Sequence, residues 1–271
     1  MSMQPSHISL PNTIRTIMFP SSDAKGDISP FSLPPKTLVD FSLWMLNRAG
    51  IVVTEWRALL YRRMNVPLVP FSKPLQNFSY IVPDDKLQEA SEVLTSMGLP
   101  LSVPDPLYLS TGGDLFAKAL LHRITLSANL GPARFILLYP SSFCPFRPSE
   151  LESVNQPLFG LDFLSVPLNV PTASATYASL VRTVAVYKRH NATRKTLLSE
   201  LAQLALYNLY DGDYGKYSGD EDDDEESERE IQQAVAVVRG WTWNADEEWI
   251  GDALVEVVAT SAYRNLPWTD C

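Results

Sequence analysis

The stretch from Gly50 to Met97 constrains this chain more than any other, because its apolar residues change period repeatedly and read as strand, helix, strand, helix. Ile51-Val52-Val53-Thr54 is a short β-branched run suited to a buried strand. From Glu55 to Met64, Trp56, Leu59, Leu60 and Arg63 share one helical face, and Asn65 and Pro67 stop the helix. Leu75 to Val82 reads as a second strand, with Phe78, Tyr80 and Val82 on one side and Asn77, Ser79 and Ile81 on the other. Asp85 and Gln88 stand at capping-box spacing before a helix that buries Leu87, Ala90, Val93, Leu94 and Met97, and Gly98 supplies a left-handed stop.

The flanking segments extend this unit. Residues 1–36 hold six prolines and read as an irregular arm. A helix opens at Thr37, with Asp40 at capping-box distance, and Gly50 closes it. Beyond Gly98, Leu107-Tyr108-Leu109 reads as a short strand leading into Thr111-Gly112-Gly113-Asp114. Such a Gly pair reads first as a tight turn with Asp114 as helix cap. The sharper reading is a phosphate loop, since glycine amides approach an anion closely. Leu120–Leu126 and Arg134–Tyr139 read as two strands joined by a turn at 128–132. His122, on the first of them, reads as a packing residue, with a ligand contact beside the sheet as the alternative.

The order of these elements, with IVPD at 81–84 followed by a helix, resembles the nucleotidyltransferase-like fold. The chain looks most like a reduced version of it carried by a set of uncharacterised fungal proteins. The segments LLHRITL, ARFILLYPSSF and VPTASATYASLV extend the resemblance over roughly residues 38 to 190. It implies a small mixed sheet with flanking helices. In active members of that family a Gly-Gly or Gly-Ser pair follows the first strand, and two carboxylates spaced D-x-D hold two magnesium ions against a nucleoside triphosphate. Placed on this sequence, the Gly pair falls on Thr54 and Glu55, and the D-x-D positions fall on Asn77 and Ser79. None of them matches. Magnesium binds hard anionic oxygens, and Asn and Ser carry no charge. No catalytic or metal-ligating residue is assigned, and Thr54, Glu55, Asn77, Ser79 and His122 stand only as candidate cleft positions.

From Pro148 the pattern reads as helical, with stripes at Tyr177–Tyr187, Leu197–Leu209, Ile231–Val238 and Ile250–Val257, the last behind an Asn244/Glu247 capping box. The expected organisation is an arm at 1–36, an α/β domain at 37–147 and a helical region at 148–271 with a disordered acidic loop at 218–230. Residues 220–230 hold nine of the 31 acids and one of the 22 basic residues, so the formal charge of −9 is concentrated there. The loop reads as a solvated run, or as a docking site for a basic partner. The remaining 22 acids and 21 bases leave no basic footprint for nucleic acid. No apolar run reaches the length of a membrane span. The N-terminus lacks a signal-peptide pattern, and Cys144 and Cys271 form no disulfide framework or zinc site, so an intracellular, cytoplasmic or nuclear setting is expected.

Three functional readings follow. The first is a catalytically degenerate nucleotidyltransferase-like protein that binds a small molecule or a protein through the old cleft, with no cofactor. The second is an active transferase whose carboxylates are displaced to Asp105, Asp114 or Glu55, using magnesium and a nucleoside triphosphate. The third is a purely structural or interaction protein.

Overall fold

The computed structural model describes residues 30–66, 77–126, 135–210 and 223–269. Its centre is β5 (Phe135–Pro140), whose first five residues are all buried. A strand buried on both faces carries a continuous apolar run rather than an alternating one, as FILLY does here. β2 (Asn77–Val82) lies parallel to β5 and antiparallel to β1 (Thr54–Trp56). β3 (Leu101–Ser102) and β4 (Leu120–Arg123) extend the sheet beyond β5, β4 running antiparallel to it. β6 (Leu151–Leu158) and β7 (Leu161–Pro171) form a hairpin that extends the other side through a parallel contact between β7 and β1. The mixed sheet runs β3-β4-β5-β2-β1-β7-β6.

Each face has its own core. Phe78, Tyr80 and Val82 of β2 join Ile136, Leu138, Val166 and Leu168 under α1 (Pro35–Arg48) and α3 (Leu87–Ser96). Trp56, Ile81, Leu137 and Tyr139 point the other way. They are covered by α6 (Ala173–Ala185), α7 (Ala192–Asn208), α8 (Asp223–Arg239) and α9 (Glu248–Thr260). Three short helices fill the connections: α2 (Ala58–Arg63), α4 (Pro106–Gly112) and α5 (Asp114–Ala117). The alternation read along residues 77–82 is therefore the division between the two cores.

Several expectations are corrected. Ile51 and Val53 are buried but lie outside the strand, because Ile51 N–H bonds back to Leu46 O and the ladder with β2 begins at Thr54. Asp40 caps nothing: α1 begins at Pro35, and the Asp40 carboxylate accepts from Phe159 N at 2.8 Å. Asp85 makes no capping box either, since a 3₁₀ turn over Asp84–Lys86 precedes α3 and neither start has a side-chain cap. Asp84 instead accepts from Ser141 Oγ and Ser142 N, each at 3.0 Å. The segment at 107–109 is helical, because Asp105 caps Leu107 N at 2.8 Å and Pro106 occupies the first turn.

The C-terminal correction is larger. The helical region expected from Pro148 begins at Ala173, and residues 151–171 are the hairpin instead. Phe159 and Gly160, the two residues of its loop, both have positive φ, 57° and 72°, the signature of a type I′ turn. The acidic run expected as disordered at 218–230 enters α8 at Asp223, and its earlier part lies outside the described residues. Acidic side chains are favourable at a helix N-terminus. The Asn244/Glu247 box is not formed: α9 starts at Glu248, and the Glu247 carboxylate accepts from Arg182 Nε at 2.6 Å. The turn at 128–132 also lies outside the described residues.

Candidate functional site

The ladder between β1 and β2 separates the positions singled out in the sequence. Glu55 stands opposite Tyr80, Thr54 opposite Ile81 and Trp56 opposite Ser79. Asn77 and Ser79 thus face the C-terminal helices, while Glu55 faces α1. His122 pairs with Ile136, which puts it on the α1–α3 side. There it is fully buried, its Nε2 2.9 Å from Ser91 Oγ and its Nδ1 3.0 Å from Leu99 O. A carbonyl can only accept, so Nδ1 carries the proton and Nε2 accepts from Ser91. The ring is a satisfied core group.

On the Asn77–Ser79 face the space is filled with aromatic rings. Trp56 meets Tyr139 edge to face at 4.7 Å and Phe143 at 5.7 Å, and Tyr139 stacks on Phe143 at 5.4 Å. The strand-to-helix junction lies at Arg57, two residues beyond the expected Thr54–Glu55. Arg57 adopts φ 57° and ψ −130°, a glycine-like conformation that costs an arginine about 1–3 kcal/mol. Its guanidinium pairs with Glu200 of α7, and Tyr61 Oη donates to the same carboxylate at 3.0 Å. Burial alone would lower the Arg57 pKa, but the adjacent Glu200 carboxylate overrides it and raises the value. Tyr139 Oη donates to Leu115 O at 2.7 Å. Removing one partner of a buried pair costs about 3–5 kcal/mol because the other charge is left uncompensated, so the contact ties α7 to the end of β1.

Those residues do not fit the two magnesium ions that the family resemblance implies. Asn77 and Ser79 are neutral, Asn77 Oδ1 is buried without a hydrogen-bond partner among the described residues, and Glu200 is already engaged by Arg57 and Tyr61. Among the described residues no cluster of three or more His, Cys, Asp or Glu groups is placed to share a metal ion. The displaced carboxylates do not converge. Asp105 caps α4, Asp114 accepts from Tyr187 Oη at 3.0 Å, and Glu55 points to the opposite side of the sheet.

Thr111 and Gly112 end α4 and Gly113 alone joins it to α5, the junction being pressed against the first turn of α7. Gly113 N bonds Leu109 O, and Asp114 N donates to Thr193 Oγ1 at 2.8 Å. These two amides are thus engaged within the fold. A Cβ on Gly113 would lie 2.5 Å from Thr193 Oγ1, so the glycine permits a close helix contact.

The other face of the sheet is open. A cavity of about 480 Å³ lies over Glu55, lined by Lys36 and Asp40 of α1, Arg63 of α2, Tyr80 and Gln156 among others. Glu55 and Asp40 are 4% and 6% exposed, so two carboxylates are held out of water beside one cavity. Burial pushes the Glu55 carboxyl up, and Arg63, its ion-pair partner, pulls it back. Burial also raises Asp40, against the Phe159 amide and Lys36. The Tyr80 hydroxyl is raised by burial and then by the two carboxylates. Arg63 also donates to Gln156 Oε1 at 2.5 Å. The wall combines apolar area with donors and acceptors of both charges, the composition of small-molecule pockets. Of this set only Glu55 was singled out from the sequence. Asp40 was legible in another way, since an acid between Val39 and Leu43 lies on the apolar stripe of its helix.

No family model matches the chain, and no curated protein does. Among solved structures the chain is similar to the crystal structure of an antigenic nucleotidyltransferase-like protein from Paracoccidioides brasiliensis, at 11% identity and a TM-score of 0.38, over 81% of this chain and 92% of that one.

Proposed function

We propose that this chain is a binding module without phosphoryl-transfer chemistry, which receives a small polar molecule in the cavity over Asp40 and Glu55. The observation that carries this reading is the contrast between the two faces of β1 and β2. The face bearing Asn77 and Ser79 is closed by Trp56, Tyr61, Tyr139 and the Arg57–Glu200 pair. The face bearing Glu55 opens into a cavity with two buried carboxylates and the cations Lys36 and Arg63 on its wall. A ligand with both donor and acceptor groups suits that wall, because a carboxylate has about four lone-pair sites, and those of Asp40 and Glu55 exceed the donors that the Phe159 amide and Arg63 supply.

Two measurements test the reading. Incubation of the purified chain with labelled ATP or GTP and magnesium or manganese is expected to give no transfer product, and a metal-dependent product would overturn it. Leu59 also lines the cavity, so Leu59→Trp fills it. Native mass spectrometry should show a small-molecule adduct on the wild type that the variant lacks, and identical spectra would remove the cavity from the proposal.

A further inference from the structure

A second cavity, of about 460 Å³, lies along the outer side of α7 beside the 3₁₀ turn at Tyr263–Asn265. Its wall gathers Arg189, His190, Arg194, Lys195 and Arg264, and no acidic residue lines it. Among the described residues Arg189, Lys195 and Arg264 have no carboxylate within salt-bridge distance, whereas Arg57, Arg63, Arg147 and Arg182 are all paired. In a chain of formal charge −9, three exposed cations and the buried Arg194 line one space without a carboxylate partner among the described residues, an unusual concentration.

Contacts within the fold position two of these cations. Arg194 is 1% exposed, and its guanidinium donates to Val184 O at 2.7 Å, Pro267 O at 2.7 Å and Leu266 O at 2.6 Å. Arg189 and Arg194 both lie over the Trp268 ring, at 5.3 and 5.8 Å from its centroid. Burial and the neighbouring Arg189 charge both lower the Arg194 pKa, as expected where like charges are crowded without an anion between them. Tyr263, Leu198 and Ala202 complete the wall with apolar area.

We propose that this cavity binds a phosphorylated small molecule, with its phosphate or diphosphate group among Arg189, Lys195 and Arg264, the buried Arg194 adding positive charge beneath them, and its uncharged part against Tyr263 and Leu198. Guanidinium groups match phosphate oxygens in geometry as well as charge. The cavity lies on α7, on the other side of the sheet from Glu55, so the inference stands apart from the reading of that site.

The test is calorimetric titration of the full chain with pyrophosphate, with a nucleoside diphosphate and with sulfate. Saturable binding of one pyrophosphate per chain is expected, weakening as salt rises from about 50 to about 200 mM because exposed charges are screened. Lys195→Glu and Arg264→Glu change exposed side chains and should each weaken it by about tenfold or more. Lys118→Glu, which changes a residue outside the cavity lining, controls for net charge and should leave binding intact. Arg194 is left alone because it holds three carbonyls of the fold. Tighter binding of the nucleoside diphosphate assigns the Tyr263 wall to the uncharged part, and equal binding assigns the site to the phosphates. Absence of binding, sulfate binding as well as pyrophosphate, or equal losses in Lys118→Glu and the two cavity variants would overturn the proposal.

Discussion

His122 shows how a single side chain reports its surroundings. Both ring nitrogens are engaged, and burial lowers its pKa from the ordinary 6.5. As pH falls below 6.5 the unfolded chain takes up a proton that the folded chain refuses until its own lower pKa is reached. Stability must therefore fall on acidification, at up to about 1.4 kcal/mol per pH unit for one group. Asp40 and Glu55 act in the opposite sense. Their carboxyls are raised from 3.8 and 4.5, so the folded chain protonates first and gains stability as pH falls from the raised values toward the ordinary ones. His122 can be isolated by difference. Urea unfolding of wild type and His122→Gln between about pH 7 and pH 5.5 should give a flatter profile for the variant. Parallel profiles would mean that the folded protein protonates the ring.

At the scale of elements, the contact of the α4–α5 turn with α7 is set by a missing side chain. Gly113 has φ 56° and ψ −127°, and Thr193 Oγ1 occupies the position beside its absent Cβ. Gly113→Ala combines a conformation that costs about 1–3 kcal/mol with a collision against α7. Thermal unfolding should register a destabilisation of at least that size, and an unchanged melting temperature would show that the turn can withdraw from α7. The sequence revealed this Gly pair but not its neighbour, because Thr193 is remote in the chain. The same limit explains the other differences. Helical stripes in α6, α7 and α9 were legible because each helix buries a repeating face. The β6–β7 hairpin was missed, although Leu164, Val166, Leu168 and Val170 alternate along β7, because Pro157, Pro167 and Pro171 interrupt the pattern. β6 is an edge strand, where proline is tolerated. Asp40 and Asp85 carried capping spacing that tertiary contacts and a 3₁₀ turn superseded.

For the whole molecule, the hairpin and the C-terminal helices decide whether the α/β part stands alone. The sequence suggested a boundary near residue 147, but β1 takes one of its two neighbours from β7. The core under Trp56, Leu137 and Tyr139 is closed by Tyr177, Val181 and Val184 of α6, Leu197, Leu201 and Leu204 of α7, and Leu254 and Val257 of α9. Arg57 is paired across the same divide with Glu200. A chain ending at 147 would expose the large apolar side chains of β5 and leave that guanidinium buried or hydrated without its partner. Each fully buried large apolar side chain contributes about 1.5–3 kcal/mol of burial, so losing one face of the sheet removes more than the typical net stability of a domain, about 5–15 kcal/mol. The fragment 30–147 should therefore show no cooperative melt and should bind a hydrophobic dye, while the full chain melts cooperatively. A fragment that unfolds in a sharp transition without dye binding would mean that the sheet is stable with one face bare, and the C-terminal helices would then be an appended layer rather than half of the core.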